Sequence, residues 1–168
     1  MMSYYGGISR QCSDLFAYVL FPILSALTPA AFSRSVLSRI SSSDSLLRED
    51  AARALAGARK HLEISDEDAW LKRWKQVELL DARDLYMMLA GRSGAVLAEI
   101  DVPANFELAR DRVMVGMHWG PAISILKLLA NAGMRPTFPY RPPEKDLRRS
   151  RPFYYLYSRL SSLYLALT

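Results

Sequence analysis

The feature that most restricts this chain is an uncharged run near its start: Leu15 to Ser33, 19 residues, contains no charged side chain but does contain Pro22 and Pro29. As a single helix the run would measure about 28 Å, close to the hydrocarbon thickness of a bilayer. Each proline removes a backbone donor and crowds the carbonyl four residues before it, and Ser25 and Thr28 dilute the apolar character. The run has neither a strongly basic start nor an Ala-x-Ala exit, which argues against a cleaved secretion signal. Arg10, Arg34 and Arg39 lie on both sides of it, so charge bias gives no orientation. The expectation is a hydrophobic membrane-anchor segment over residues 1–40, embedded or interfacial, with a buried core helix as the alternative.

Residues 41–168 then form one further domain. A hydrophobic fraction of 51% with 23% charged residues over 168 positions is enough for a packed core and excludes a disordered chain. Cys12 is the single cysteine and there are two histidines, so neither an internal disulfide nor a Cys/His zinc site can form. The net charge of +5 is localised: residues 134–168 carry seven basic and two acidic side chains, and the remainder is balanced. Such an excess attracts phosphates, or is simply a solvated helix face.

Ser41-Ser42-Ser43-Asp44-Ser45 marks a linker, and Ala51, Leu55, Ala58 and Leu62 follow at helical spacing. Ser65, with Asp68 three residues on, caps a second helix starting near Asp66. In that helix Trp70, Trp74 and Val77 share a face assigned to the core, and Gly91 ends it. Asp81 and Asp84 resemble a metal pair, but with no nearby histidine solvent exposure or ion pairing is expected; His61 is placed against helix-terminal carbonyls.

The texture then changes. Ala95 to Ile100 and Arg112 to Met117 are apolar, β-prone runs read as strands, and the second ends in His118-Trp119-Gly120-Pro121. Ile123, Leu126, Leu129 and Ala130 continue at helical spacing to Gly133. His118 would thus sit at a strand-to-helix turn, where open α/β sheets collect ligands. A neutral imidazole there suits a general base, Gly120 permits close backbone approach, and Pro121 fits a first helical turn; a structural histidine is the bland alternative.

The run Val115-Gly116-Met117-His118-Trp119-Gly120, followed by Tyr140-Arg141-Pro142, resembles the strand, His-aromatic-Gly turn and Tyr-Arg-Pro step of the lipid A late acyltransferase (lauroyl/myristoyl acyltransferase) family. The resemblance spans most of this chain but only the front of the family's usual length. It implies a lysophospholipid-acyltransferase-like α/β sheet with flanking helices, incomplete at Thr168, and a role in lipid A and lipopolysaccharide biosynthesis. The implied chemistry is transfer of a fatty acyl group from an acyl-carrier protein or coenzyme A thioester to a hydroxyl of a membrane lipid. It takes place on the cytoplasmic side of the bacterial inner membrane, with no cofactor and no metal. By the same resemblance His118 is the catalytic base, and Trp119, Gly120 and Arg141 bind substrate, the Arg141 guanidinium suiting a phosphate or headgroup. The family normally carries Asp or Glu five residues after the histidine, orienting the imidazole; here that residue is Ile123. Either another carboxylate, such as Glu99 or Asp101, takes the part, or the chain is a catalytically inactive binding or scaffold relative, a truncated product or one half of a complex.

At the end, Pro152 opens a helix with Phe153, Tyr157, Leu160, Tyr164 and Leu167 on one face, expected to pack on the core or to touch a membrane interface. Because these aromatics share one face and no RNA-binding motif accompanies them, a nucleic-acid partner is not expected.

Overall fold

The computed structural model describes residues 2–100, 122–133 and 146–167. The described elements are α1 (Met2–Leu15), a π-helical turn (Phe16–Leu20), α2 (Phe21–Leu27), α3 (Ala30–Ile40), α4 (Arg48–Ala58), α5 (Glu67–Leu89), α6 (Ser93–Leu97), α7 (Ala122–Asn131), α8 (Leu147–Ser150) and α9 (Pro152–Leu167).

The front segment departs from the expected anchor. No helix among the described residues is long and apolar enough to cross a membrane. The two prolines supply the reason. Pro22 cannot donate to the turn before it, and there the helix widens to π geometry, with the Phe21 N–H bonded to the Phe16 carbonyl. Thr28, the residue before Pro29, is extended (φ −110°, ψ 161°), as a residue preceding proline prefers, and the chain turns into α3. One side of the uncharged run faces protein: Ala17, Tyr18, Phe21, Pro22 and Ser25 are buried. α2 lies along α5 in the most extensive helix pairing among the described residues.

The expected α/β sheet is also overturned: among the described residues every element is helical and there is no strand. The run 95–100 belongs instead to α6 and the turn after it, where the Glu99 and Ile100 amides bond the Val96 and Leu97 carbonyls at 3.1 Å. Ala95, Leu97 and Ala98 are good helix formers, and a strand face would have required Val96, Ala98 and Ile100 to be buried together; only Val96 is. The second expected strand, 112–117, lies outside the described residues.

α5 organises the core. Asp66, rather than Ser65, is its cap, accepting from the Ala69 amide at 2.9 Å. Its end is a Schellman turn: Gly91 takes φ +75°, its amide bonds Met88 at 3.0 Å, and the Arg92 amide bonds Met87 at 2.8 Å. The inward face is Leu79, Ala82, Leu85 and Met88, whereas Trp70, Trp74 and Val77 are only half-buried. Around α5 the core gathers Ala17, Tyr18, Phe21, Leu37, Leu46, Leu47, Val96 and Tyr157. α9 packs on α1, the π turn and α5, while α7 packs on α5 and α6.

Candidate functional site

Two buried polar clusters flank α5. The first joins α5, α6 and α7. Arg83 and Asp84 lie side by side within the apolar stretch Ala82 to Met88, and both are buried. The Arg83 Nε and Nη2 donate to Asp84 Oδ1 at 2.9 and 2.7 Å, and Nη2 also reaches Glu99 Oε2 at 2.8 Å. Asp84 Oδ2 accepts from the Ser124 hydroxyl at 3.1 Å, and Ser124 is fully buried. Burial pushes the Asp84 carboxyl up, opposed by the Arg83 guanidinium and the Ser124 bond. Burial acts the opposite way on Arg83, but Asp84 and Glu99 outweigh it and hold the guanidinium above its ordinary value. The result is one guanidinium shared by two carboxylates, with α7 tied to the set in its first turn through Ser124.

The position of that turn gives the cluster its interest. α7 starts at Ala122, directly after His118-Trp119-Gly120-Pro121, and Ser124 follows Ile123, where the family pattern would place an acid. The carboxylates absent from positions 119–123 are thus found, from elsewhere in the chain, beside the next residue. Glu99, proposed from the sequence as a substitute acid, belongs to this group; Asp101 lies outside the described residues. So do His118, Trp119, Gly120 and Arg141.

The second cluster ties α9 to α1 and α4. Arg151 donates Nε and Nη2 to the two oxygens of Asp14 at 2.8 and 2.7 Å, and it also reaches both oxygens of Asp50, at 3.2 and 2.5 Å. Arg10 bonds Asp50 at 3.1 Å and Glu49 at 2.9 Å. Arg151 also lies 4.5 Å from the centre of the Tyr154 ring, which belongs to a tyrosine trio: Tyr18 is 5.1 Å from both Tyr154 and Tyr157. Beneath these rings the Tyr157 hydroxyl donates to Asp81. Glu78 sits among the same groups, and its carboxyl is raised from 4.5 to about 7 by burial first and then by Asp81 and Asp50, against the pull of Arg151 and a Tyr18 hydrogen bond.

Asp81 and Asp84, which looked like a metal pair, therefore belong to different clusters, and among the described residues no group of acids, histidines and cysteine could hold a metal ion. His61 is exposed just beyond α4, with its amide on the Ala58 carbonyl at 3.0 Å. A cleft of about 360 Å³ lies between α1 and the turn after α3, lined by Cys12, Phe16, Ile40 and Leu46 with a rim of serines. A second, of about 390 Å³, shares Ser9, Ser13 and Ser45 with it. Neither touches the Arg83 cluster.

The sequence reading missed Arg83 and Ser124. The available signal was an adjacent Arg-Asp pair inside an apolar helical stretch, which calls for mutual compensation. No protein-family model, no curated protein and no solved structure matches the chain.

Proposed function

We propose that the chain transfers a fatty acyl group from an acyl-carrier protein or coenzyme A thioester to a hydroxyl of a lipid or lipid-like acceptor, as the lipid A late acyltransferases do. The setting is the cytoplasmic side of a bacterial inner membrane. His118 takes the proton of the acceptor hydroxyl as its oxygen attacks the thioester carbonyl; the carbon–oxygen bond forms, the carbon–sulfur bond breaks, and the thiolate leaves with the proton. Trp119, Gly120 and Arg141 bind substrate. The observation that carries this reading is the Arg83–Asp84–Glu99–Ser124 cluster at the first turn of α7, because it brings carboxylates to Ser124, the residue that follows Ile123 in the chain. An imidazole deprived of an orienting acid loses about ten-thousand-fold in the comparable serine-protease case, so a substitute carboxylate is what activity here demands.

The test is transfer of labelled acyl groups from acyl-carrier protein to a detergent-dispersed lipid acceptor. His118→Ala should abolish it; turnover that this substitution leaves intact would remove His118 from the mechanism. One observation favours a second reading, binding or scaffolding without catalysis: Asp84 already accepts from Arg83 and Ser124, which satisfies its oxygens within the fold. Thioester transfer well above background by the unaltered protein counts directly against that reading.

A further inference from the structure

The uncharged run has a second face. Leu20, Ile23, Leu24 and Leu27 fall at i, i+3, i+4 and i+7 of one helical surface and are 42% to 78% exposed, while the opposite side of the same helix is buried on α5. After the Thr28–Pro29 turn the apolar surface resumes at Phe32, 58% exposed. Phe32, Ser35 and Arg39 share one face of α3, and all three are exposed. A contiguous stripe of large aliphatic side chains on the surface is unusual and marks a contact site.

The charge around the stripe selects its occupant. From residue 15 to residue 43 the only charged side chains are Arg34 and Arg39, both exposed, and there is no acid. The nearest acid before them, Asp14, is 1% exposed and bonded to Arg151. The exposed leucines and phenylalanine are thus followed along the chain by two cations before any acid, Arg39 on the Phe32 face, the pairing that an in-plane helix presents to an anionic lipid surface. Both prolines fit this arrangement, since neither is asked to sit in a helix that traverses the bilayer.

We infer that the exposed face of α2 with the start of α3 is a lipid-docking surface that lies in the plane of an anionic bilayer, with Leu20, Ile23, Leu24, Leu27 and Phe32 among the acyl chains and Arg34 and Arg39 at the headgroup phosphates. The inference goes beyond acyl transfer and does not depend on it.

The experiment is co-sedimentation of the whole chain with vesicles of phosphatidylcholine alone or with about one third phosphatidylglycerol. The unaltered protein should bind the anionic vesicles, less so as salt rises. Leu24→Ser with Leu27→Ser, both at exposed positions, should weaken binding by at least about tenfold while leaving the thermal melt in place. Arg34→Ala with Arg39→Ala should remove most of the preference for the anionic vesicles. Equal binding by the leucine variant and the parent would overturn the proposal, as would an absence of vesicle binding by the parent. A dimer abolished by the leucine substitutions, without vesicle binding, would assign the face to a second copy of the chain and equally overturn it. Because acyl transfer is read with a detergent-dispersed acceptor, failure here and failure of the catalytic reading are separate results.

Discussion

Leu47 is the described non-glycine residue with a left-handed backbone, φ 52° and ψ 25°, immediately before α4. A Cβ in that region is costly, by about 1 to 2 kcal/mol, and leucine has no short polar group to offset it. Two things hold it there. The side chain is 3% exposed within the core, and its amide donates to the Ser13 hydroxyl at 2.8 Å, which fixes the entry of α4 against α1. The two effects predict an inverted order of substitutions. Leu47→Ala loses the buried side chain and keeps the strained backbone, for a destabilisation of about 3 kcal/mol. Leu47→Gly loses nearly the same burial but relieves the strain, and should be less damaging by about 1 kcal/mol. Urea unfolding midpoints of the two variants would decide it; alanine equal to or better than glycine would mean that the strain is not stored there.

Among the elements, Arg151, immediately before α9, adds an ionic tie to the packing of that helix, neutralising Asp14 on α1 and Asp50 on α4. Removing it leaves the Asp14 carboxylate buried without a counter-ion. Arg151→Ala should therefore cost about 3–5 kcal/mol in urea unfolding, far more than loss of an exposed arginine such as Arg53. A loss below about 1 kcal/mol would show that Asp14 is neutralised some other way. Arg151 also shows the limit of the sequence reading at this scale, since in the string it is one of seven cations in a basic tail, and only the fold reveals that it is internal. Punctuation was legible: the acid-rich start of α5, Gly91 after it, Gly133 after α7 and Pro152 at α9 are local signals with local causes. Faces and short apolar runs were not. Ala95 to Ile100 is too short for periodicity to separate strand from helix, and the tryptophans of α5 were placed inside although Leu79, Ala82 and Leu85 take that position. The candidate site shows the same division. Glu99 could be named as a possible acid, but its meeting with Arg83, Asp84 and Ser124 depends on three helices converging, which no spacing in the chain encodes.

At the scale of the whole molecule, three helical segments bring an excess of acid to one place. Asp14 from α1, Asp50 from α4 and Glu78 and Asp81 from α5 converge beside Tyr18, Tyr154 and Tyr157, with Arg151 and Arg10 as the partner cations. Two guanidinium charges do not balance four carboxylates in a desolvated setting, and burial first, then Asp81 and Asp50, raise the Glu78 carboxyl from 4.5 to about 7, which lessens the deficit. The sign of the consequence follows from proton counting. Between these two values the folded chain holds a proton on Glu78 that the unfolded chain has released, so stability falls as pH rises through that window and levels off above about 7. Glu78→Gln, which keeps the shape and cannot ionise, should flatten this slope. Relative to the parent it should gain about 1–2 kcal/mol on moving from pH 5 to pH 8, a figure discounted for the partial exposure of the residue. Urea titrations of both proteins at the two pH values measure the difference directly. Parallel pH dependences would mean that Glu78 is already ionised in the native state, and that the acids of α1, α4 and α5 are balanced by charges other than the two arginines.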